Sequence, residues 1–287
     1  MGSGGIVAVD MGGTRMRCAA VGADDAMGPV RAVPTLRERP AQAILKDLAA
    51  LIADARRELP QCDGLALGIP TVLDAEGGLV ECDNLPTMTG VSIKAELHER
   101  TGMTVRVNND ASCFAMGEWW KGAGAGCRNL CGITLGTGIG LGLVLDGRLY
   151  SGSHGAAGEI WRTPLPDGRT VEECGSGSFL SQAFASRTAL CLAGEEIARR
   201  AAQGDPDAHA AFDEYGRALG SVVAFVVNLV DPDVTVLGGS IARSFALFEQ
   251  SLRTVLNNVR APRVEASGLG ESAALWGAAK LFRDGKG

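Results

Sequence analysis

The chain has 287 residues, more than one domain of ~100–200 residues needs and enough for two. With 46% hydrophobic and 21% charged residues it lies in the ordinary globular range, which excludes wholesale disorder. A net charge of −6 (27 Lys and Arg against 33 Asp and Glu) argues against general binding to nucleic acid or an anionic membrane, since either partner selects for a basic patch. Forty glycines are about twice the usual ~7% share and point to tight turns and backbone-lined loops. Apolar runs such as Val222–Val227 are only six residues long, against the ~20 that span a bilayer. Met1–Gly5 carries no visible signal peptide. The eight scattered cysteines form no C-x-x-C pair and read as reduced thiols, so a cytoplasmic location is expected.

In chain order, Ile6–Val9 is a short buried strand ended by Asp10 and a glycine pair. Arg15–Val21 and Val30–Leu36 read as further strands. Ile44, Leu45, Leu48, Leu51, Ile52 and Ala55 recur at helical spacing and predict a helix over 41–59. Gly64–Ile69 returns to strand and stops at Pro70. A helix over 90–101, a strand at Val105–Val107 and a helix at Ala111–Trp120 complete the first half. The second half repeats the theme less regularly. Leu130–Leu135 and Leu141–Leu145 are strands, and Asp146-Gly147 predicts a hairpin to Arg148–Tyr150. Helices are expected over 177–187, 194–203 and 207–230, the last with Leu219, Val222, Val223, Val226, Val227 and Val230 on one face. Val234–Leu237 runs into Gly238-Gly239, a helix follows to about Asn258, and a last helix covers 272–283. The three glycines within Trp120–Arg128 mark the expected junction between domains 1–120 and 121–271, with the final helix packing back on the first.

Five segments are able to carry chemistry. Asp10-Met11-Gly12-Gly13-Thr14 suits a phosphate cradle, with Asp10 on Mg²⁺, or equally an ordinary glycine-rich hairpin; no Lys follows, so it is not a Walker A loop. Thr134-Leu135-Gly136-Thr137-Gly138 repeats that design, and one such loop per half is what a nucleotide clamped between two domains needs. Asn108-Asn109-Asp110 ends a strand, where open α/β sheets bind ligands; Asp110 is either a general base or a helix N-cap, or both. Gly158-Glu159-Ile160-Trp161-Arg162 is a ligand loop or a solvated loop with a charge pair. Gly238-Gly239-Ser240 is a helix start or a close approach to a flat ligand such as adenine. His98 and His209 fall on polar helix faces, and Trp119-Trp120 reads as packing at the junction.

The order and spacing of Val9–Thr14 with Arg17, Gly68-Ile69-Pro70, Asn84-Leu85-Pro86, Asn109-Asp110-Ala111, Gly136–Gly140, Gly155–Ile160 and Leu237-Gly238-Gly239 resemble the ROK family of sugar kinases and sugar-responsive repressors. The resemblance runs over nearly the whole chain and implies an α/β, two-domain actin-like fold with a nucleotide and sugar cleft between the domains. It also implies an ATP- and Mg²⁺-dependent hexose kinase, commonly a homodimer. On that resemblance Asp10, Gly12, Gly13 and Thr14 form one phosphate loop and Gly136, Thr137 and Gly138 the other. Gly238 and Gly239 lie against adenosine, Asn84, Asn109 and Glu159 bind sugar hydroxyls, and Asp110 is the base. The first strand begins near Ile6, which leaves no room for the family repressors' helix-turn-helix. The family's zinc ligands, a His and three Cys, are reduced here to Arg162 in the His position and Cys174 alone, so no zinc site is expected. On the same alignment Ser181 replaces a sugar-binding Glu. Arg162 either enters the pocket and favours an anionic acceptor, or turns to solvent; the second is expected.

Overall fold

In a computed structural model of the chain, residues 4–73, 79–257, 259 and 263–285 are described. Strands β1 (Ile6–Met11), β2 (Arg15–Val21) and β3 (Arg31–Pro34) form an antiparallel meander. Helix α1 (Ala41–Arg56) then buries all six apolar residues of its predicted stripe. β4 (Gly64–Ile69) returns parallel to β1. After a short pair, β5 (Val72–Leu73) and β6 (Leu79–Glu81), and helix α2 (Ile93–Thr101), β7 (Thr104–Asn109) adds parallel to β4. The sheet order is β3-β2-β1-β4-β7.

Helix α3 (Asp110–Lys121) leads to a second sheet on the same plan. β8 (Leu130–Leu135), β9 (Ile139–Leu145) and β10 (Arg148–Leu149) form its meander. Helices α4 (Val171–Gly175), α5 (Gly177–Thr188), α6 (Gly194–Ala202) and α7 (Pro206–Val230) follow. β11 (Val234–Gly238), α8 (Phe245–Leu256) and β12 (Val264–Ala266) complete the order β10-β9-β8-β11-β12, and α9 (Ala273–Arg283) ends the chain. Each sheet is thus three antiparallel strands joined to two parallel ones. Parallel strands need crossovers, and helices supply them in both halves.

Boundaries moved where local chemistry decides. The helix expected from residue 90 starts at Ile93, because Gly90 takes a left-handed φ of 77° and Ser92 is the N-cap. The helix after Gly239 opens as a 3-10 turn over Ile241–Ser244 before α8. β5, β6, α4 and β12, each five residues or fewer, were not expected from the pattern. Val230 is half-buried, while the other predicted apolar positions of α7 are buried.

Two contacts place α3 between the sheets. It leaves the end of β7 in the first sheet, yet its body lies on the second, where a Cβ on Gly142 would fall 2.2 Å from the Ala111 carbonyl oxygen. Against its other side runs α9, which also covers β1 and β2: Leu275 and Ala279 pack with Ala8, Ala19 and Val21. Trp120 meets Trp276 edge-on at 5.7 Å, and the Trp119 indole N–H donates to the Cys127 carbonyl at 2.8 Å. Among the described residues no helix is long and apolar enough to cross a membrane.

Candidate active site

The loops singled out in the sequence meet at one cavity of about 290 Å³, just below the ~300–1,000 Å³ typical of ligand pockets. It lies where strand carboxyl ends face each other, the usual place for a ligand in open α/β sheets. Gly12, Gly13 and Thr14, between β1 and β2, form one wall. The Gly12 N–H closes their turn on the Arg15 carbonyl at 3.0 Å, and the Thr35 hydroxyl donates to the Gly12 carbonyl at 2.6 Å. A Cβ on Gly13 would sit 2.5 Å from the Asn84 carbonyl oxygen, so only glycine lets that loop touch the Asn84 segment. Gly136, Thr137 and Gly138, between β8 and β9, form the facing wall, with Gly239 beside them. Nothing lies within 4 Å of a Cβ built on Gly136, so that face of the loop is open to the cavity.

Asn84, Asn109, Asp110, Glu159, Trp161 and Glu172 supply the polar end. Asn109 is the N-cap of α3 and accepts from the Ser112 N–H at 3.0 Å. The cap that the sequence placed on Asp110 therefore falls one residue earlier. Asp110 is the first helical residue, with its Oδ1 accepting from the Ala111 N–H at 2.8 Å. Its carboxyl is pushed up to about 7, first by burial and then by the negative charges of Asp10 and Glu159. The Asn109 side-chain amide donates to the Thr71 carbonyl at 3.3 Å and approaches Glu159 Oε1 at 3.5 Å. Asp10 lies behind the first loop, outside the cavity lining, with Arg17 Nη1 at 3.3 Å. Burial outweighs Arg17 there and raises the Asp10 carboxyl too.

Besides Asp10, two expected residues lie outside the lining. A Cβ on Gly238 would strike the Phe114 ring at 2.2 Å, so the bare backbone there lets α3 pack on β11. The Arg162 side chain is 66% exposed; its guanidinium lies 4.0 Å from the Trp161 ring centre and 3.9 Å from the Asp83 carboxylate. The sequence missed Glu172, whose carboxylate accepts from the Ile139 N–H at 3.0 Å at the cavity wall. Ser181, aligned with a sugar-binding carboxylate, instead sits half-buried on α5 away from the cavity. A signal for Glu172 existed: Thr170-x-x-Glu173 is a capping box, observed here, and it starts a helix that puts Glu172 in its first turn.

The segment around Cys174 is held by packing and hydrogen bonds. Leu165, Val171 and Cys174 are buried, Pro164 bridges Thr170, and the Tyr215 hydroxyl donates to the Gly175 carbonyl at 2.8 Å. Among the described residues, no group of three or more His, Cys, Asp or Glu is arranged to hold a metal. His98, His154 and His209 are exposed.

The ROK family profile matches residues 6–285. N-acetyl-D-glucosamine kinase of Salmonella gallinarum is 30% identical over 298 residues, covering 95% of this chain and 97% of that protein. The ROK family glucokinase of Streptomyces griseus, solved in complex with glucose and AMPPNP, superposes with a TM-score of 0.87 at 27% identity, over 98% of this chain and 100% of that one. The ROK hexokinase of Thermus thermophilus gives 0.81 at 29% identity, over 98% and 99%. This chain belongs to the ROK family and has the two-domain actin-like fold of its sugar kinases.

Proposed function

We propose that this enzyme is an ATP-dependent sugar kinase that moves the γ-phosphoryl group to the primary hydroxyl of a hexose, with Asp110 as general base. One observation carries the reading: a buried carboxylate pushed up to about 7 stands between two glycine loops and a ring of Asn and Glu side chains. Asn84, Asn109 and Glu159 line the cavity and offer acceptors and donors to a polyhydroxylated ring, while the Glu172 carboxylate lies against the second glycine loop at the Ile139 N–H. The similarity to an N-acetylglucosamine kinase and to a glucose-bound glucokinase supports a hexose acceptor.

The nucleotide phosphates would lie between Gly12–Thr14 and Gly136–Gly138, with adenosine against Gly239 and the buried Gly238 beneath it. The open space over Gly136 fits that use. Mg²⁺ fits as well: burial leaves Asp10 and Asp110 short of compensating charge, and a cation carried in with phosphates relieves them. Asp10 would hold it directly or through water, and when bound it neutralises charge on the transferring phosphoryl group. Asp110 takes the proton from the attacking hydroxyl oxygen. Asn109 and Glu159 orient the sugar, and closing the cleft excludes water. Arg162, at the lip beside Asp83, touches the acceptor only if its substituents reach that far. Assembly as a homodimer belongs to the same proposal and is read by sedimentation.

The test is an ADP-release assay with Mg-ATP over glucose, mannose, N-acetylglucosamine, amino hexoses and uronic acids. Turnover on a neutral hexose is expected, and Asp110→Asn should lower it by ~10²–10⁴-fold with the fold intact. A folded Asp110→Asn protein with full activity would remove Asp110 from the base role.

A further inference from the structure

We infer that Trp161 is a positioning and specificity-determining residue: its indole sets the cleft carboxylate of Glu159 and presents an aromatic wall to the C–H face of the acceptor ring. This rests on the sugar-kinase reading above. The indole N–H donates to Glu159 Oε2 at 3.0 Å, while the Trp161 main-chain carbonyl accepts from the Glu172 N–H at 3.0 Å. The indole thus holds one carboxylate, Glu159, while the main chain of the same residue joins this loop to the first turn of α4. The donor also fixes which Glu159 oxygen faces Asn109, whose amide lies 3.5 Å from the other, Oε1.

The ring has a second use. Among the described residues that line the cavity, Trp161 is the one aromatic; most of the rest are Gly, Thr, Asn and carboxylates. A pyranose carries hydroxyls at its rim and C–H groups on its faces. The rim needs polar partners and the face needs a flat apolar surface; beside the aliphatic Pro70, Val72, Leu135, Ile139 and Leu141, the Trp161 ring is the planar one. The Arg162 guanidinium lies over one face of the ring, 4.0 Å from its centre, so the acceptor would meet the ring from its other side; the 3.9 Å approach of Arg162 to Asp83 joins two exposed groups and adds little. A ligand that matches is a neutral cyclic sugar. An open-chain polyol with the same hydroxyls has no face to stack.

The test uses the full-length chain, with KM and kcat for sugar and for ATP, and calorimetric binding of glucose and N-acetylglucosamine without nucleotide. Trp161→Phe keeps a ring and removes the N–H. It should raise the sugar KM about tenfold, the size of a lost hydrogen bond to a charged group, with the ATP KM unchanged. Glu159→Gln should give a similar shift, and adding Trp161→Phe to it should change the sugar KM less than twofold. Trp161→Ala should also narrow the preference for glucose over glucitol. An unchanged sugar KM in Trp161→Phe, equal losses for sugar and ATP, or full additivity with Glu159→Gln would overturn the inference while leaving the kinase reading in place. A wild-type chain that neither binds nor phosphorylates any sugar would overturn the kinase reading and this inference with it.

Discussion

Asp110 is held in an environment that favours its neutral form, and that has consequences for rate and stability with opposite signs. A base must be unprotonated, so the rate with sugar and Mg-ATP both well below their KM values, which reports the free enzyme, should fall on the acid side with a midpoint near 7, the value to which burial and the Asp10 and Glu159 charges push this carboxyl. A midpoint near the 3.8 of an ordinary aspartate would place the base elsewhere. For stability, the folded chain keeps the Asp110 proton up to about 7 while the unfolded chain releases it near 3.8. Between those values the folded state binds the extra proton, so this residue's contribution falls as pH rises through that window. Asn has no proton to lose, and Asn109 still caps the helix. Asp110→Asn should therefore be more stable than wild type at pH 8, by on the order of 1–4 kcal/mol, and nearly equal near pH 4. Urea denaturation at the two pH values measures this; an equal difference at both would refute it. Which of two adjacent residues caps α3 and which faces the cavity was not legible in the sequence, because Asn109 and Asp110 are both good caps and a one-residue shift in the helix start decides it.

Glycines on the elements around the cleft serve two purposes that a sequence does not distinguish, and alanine separates them. Gly136 has nothing within 4 Å of a Cβ and no left-handed backbone, so Gly136→Ala should be neutral or stabilise the free protein by ~0.4–1 kcal/mol. If phosphates lie over that loop, the same methyl should raise the ATP KM by ~5-fold or more, corresponding to ~1 kcal/mol of overpacking. Gly277 is the contrary case. A Cβ there would fall 1.6 Å from the Cys113 carbonyl oxygen and 2.8 Å from the Gly117 nitrogen, because α9 and α3 cross backbone to backbone. Gly277→Ala should cost ~3 kcal/mol or more in denaturant unfolding, and a near-neutral result would mean the two helices do not cross this closely. Strand-end glycine loops, the α1 stripe and most of the second sheet were legible from period and turn chemistry. Glu172 was not: a five-residue helix is too short to show a 3.6-residue period, and its capping box lay in a segment read as a replaced metal cluster.

At the scale of the whole molecule, the last helix was expected to pack back on the first domain, and in the structure α9 lies on strands from the far end of the chain. Leu275 and Ala279 pack on Ala8, Ala19 and Val21 of the first sheet, while Ala278 and Leu281 join Ile6 and Ala66. A Cβ on Gly64 would strike the Phe282 ring at 2.6 Å, and Arg283 pairs with Asp25 just beyond β2. The chain crosses between the halves twice, near 122–124 and 267–269. There the buried Glu118 carboxylate accepts from the backbone N–H groups of Ala123, Gly268 and Leu269 at 2.9–3.1 Å. We therefore propose that the first folding unit is 4–121 together with α9, and that a cut near residue 120 leaves its sheet bare on one face. Residues 4–121 expressed alone should lack a cooperative thermal transition. Each uncovered large apolar side chain forfeits ~1.5–3 kcal/mol of burial, which takes much of the ~5–15 kcal/mol that stabilises a domain. The ends make a rescue feasible, since a Cβ on Gly4 would lie 3.1 Å from Asp63 Oδ1 and one on Gly285 3.3 Å from Arg106 Nη1, both beside β4 and β7. Joining 270–285 ahead of residue 4 through a Gly/Ser linker of about 12 residues, with a reach of ~19 Å, restores the missing layer in cis. That permuted fragment should melt cooperatively and disperse its amide resonances. If instead 4–121 folds alone, or the permuted chain does not, α9 is not the layer that completes the first sheet.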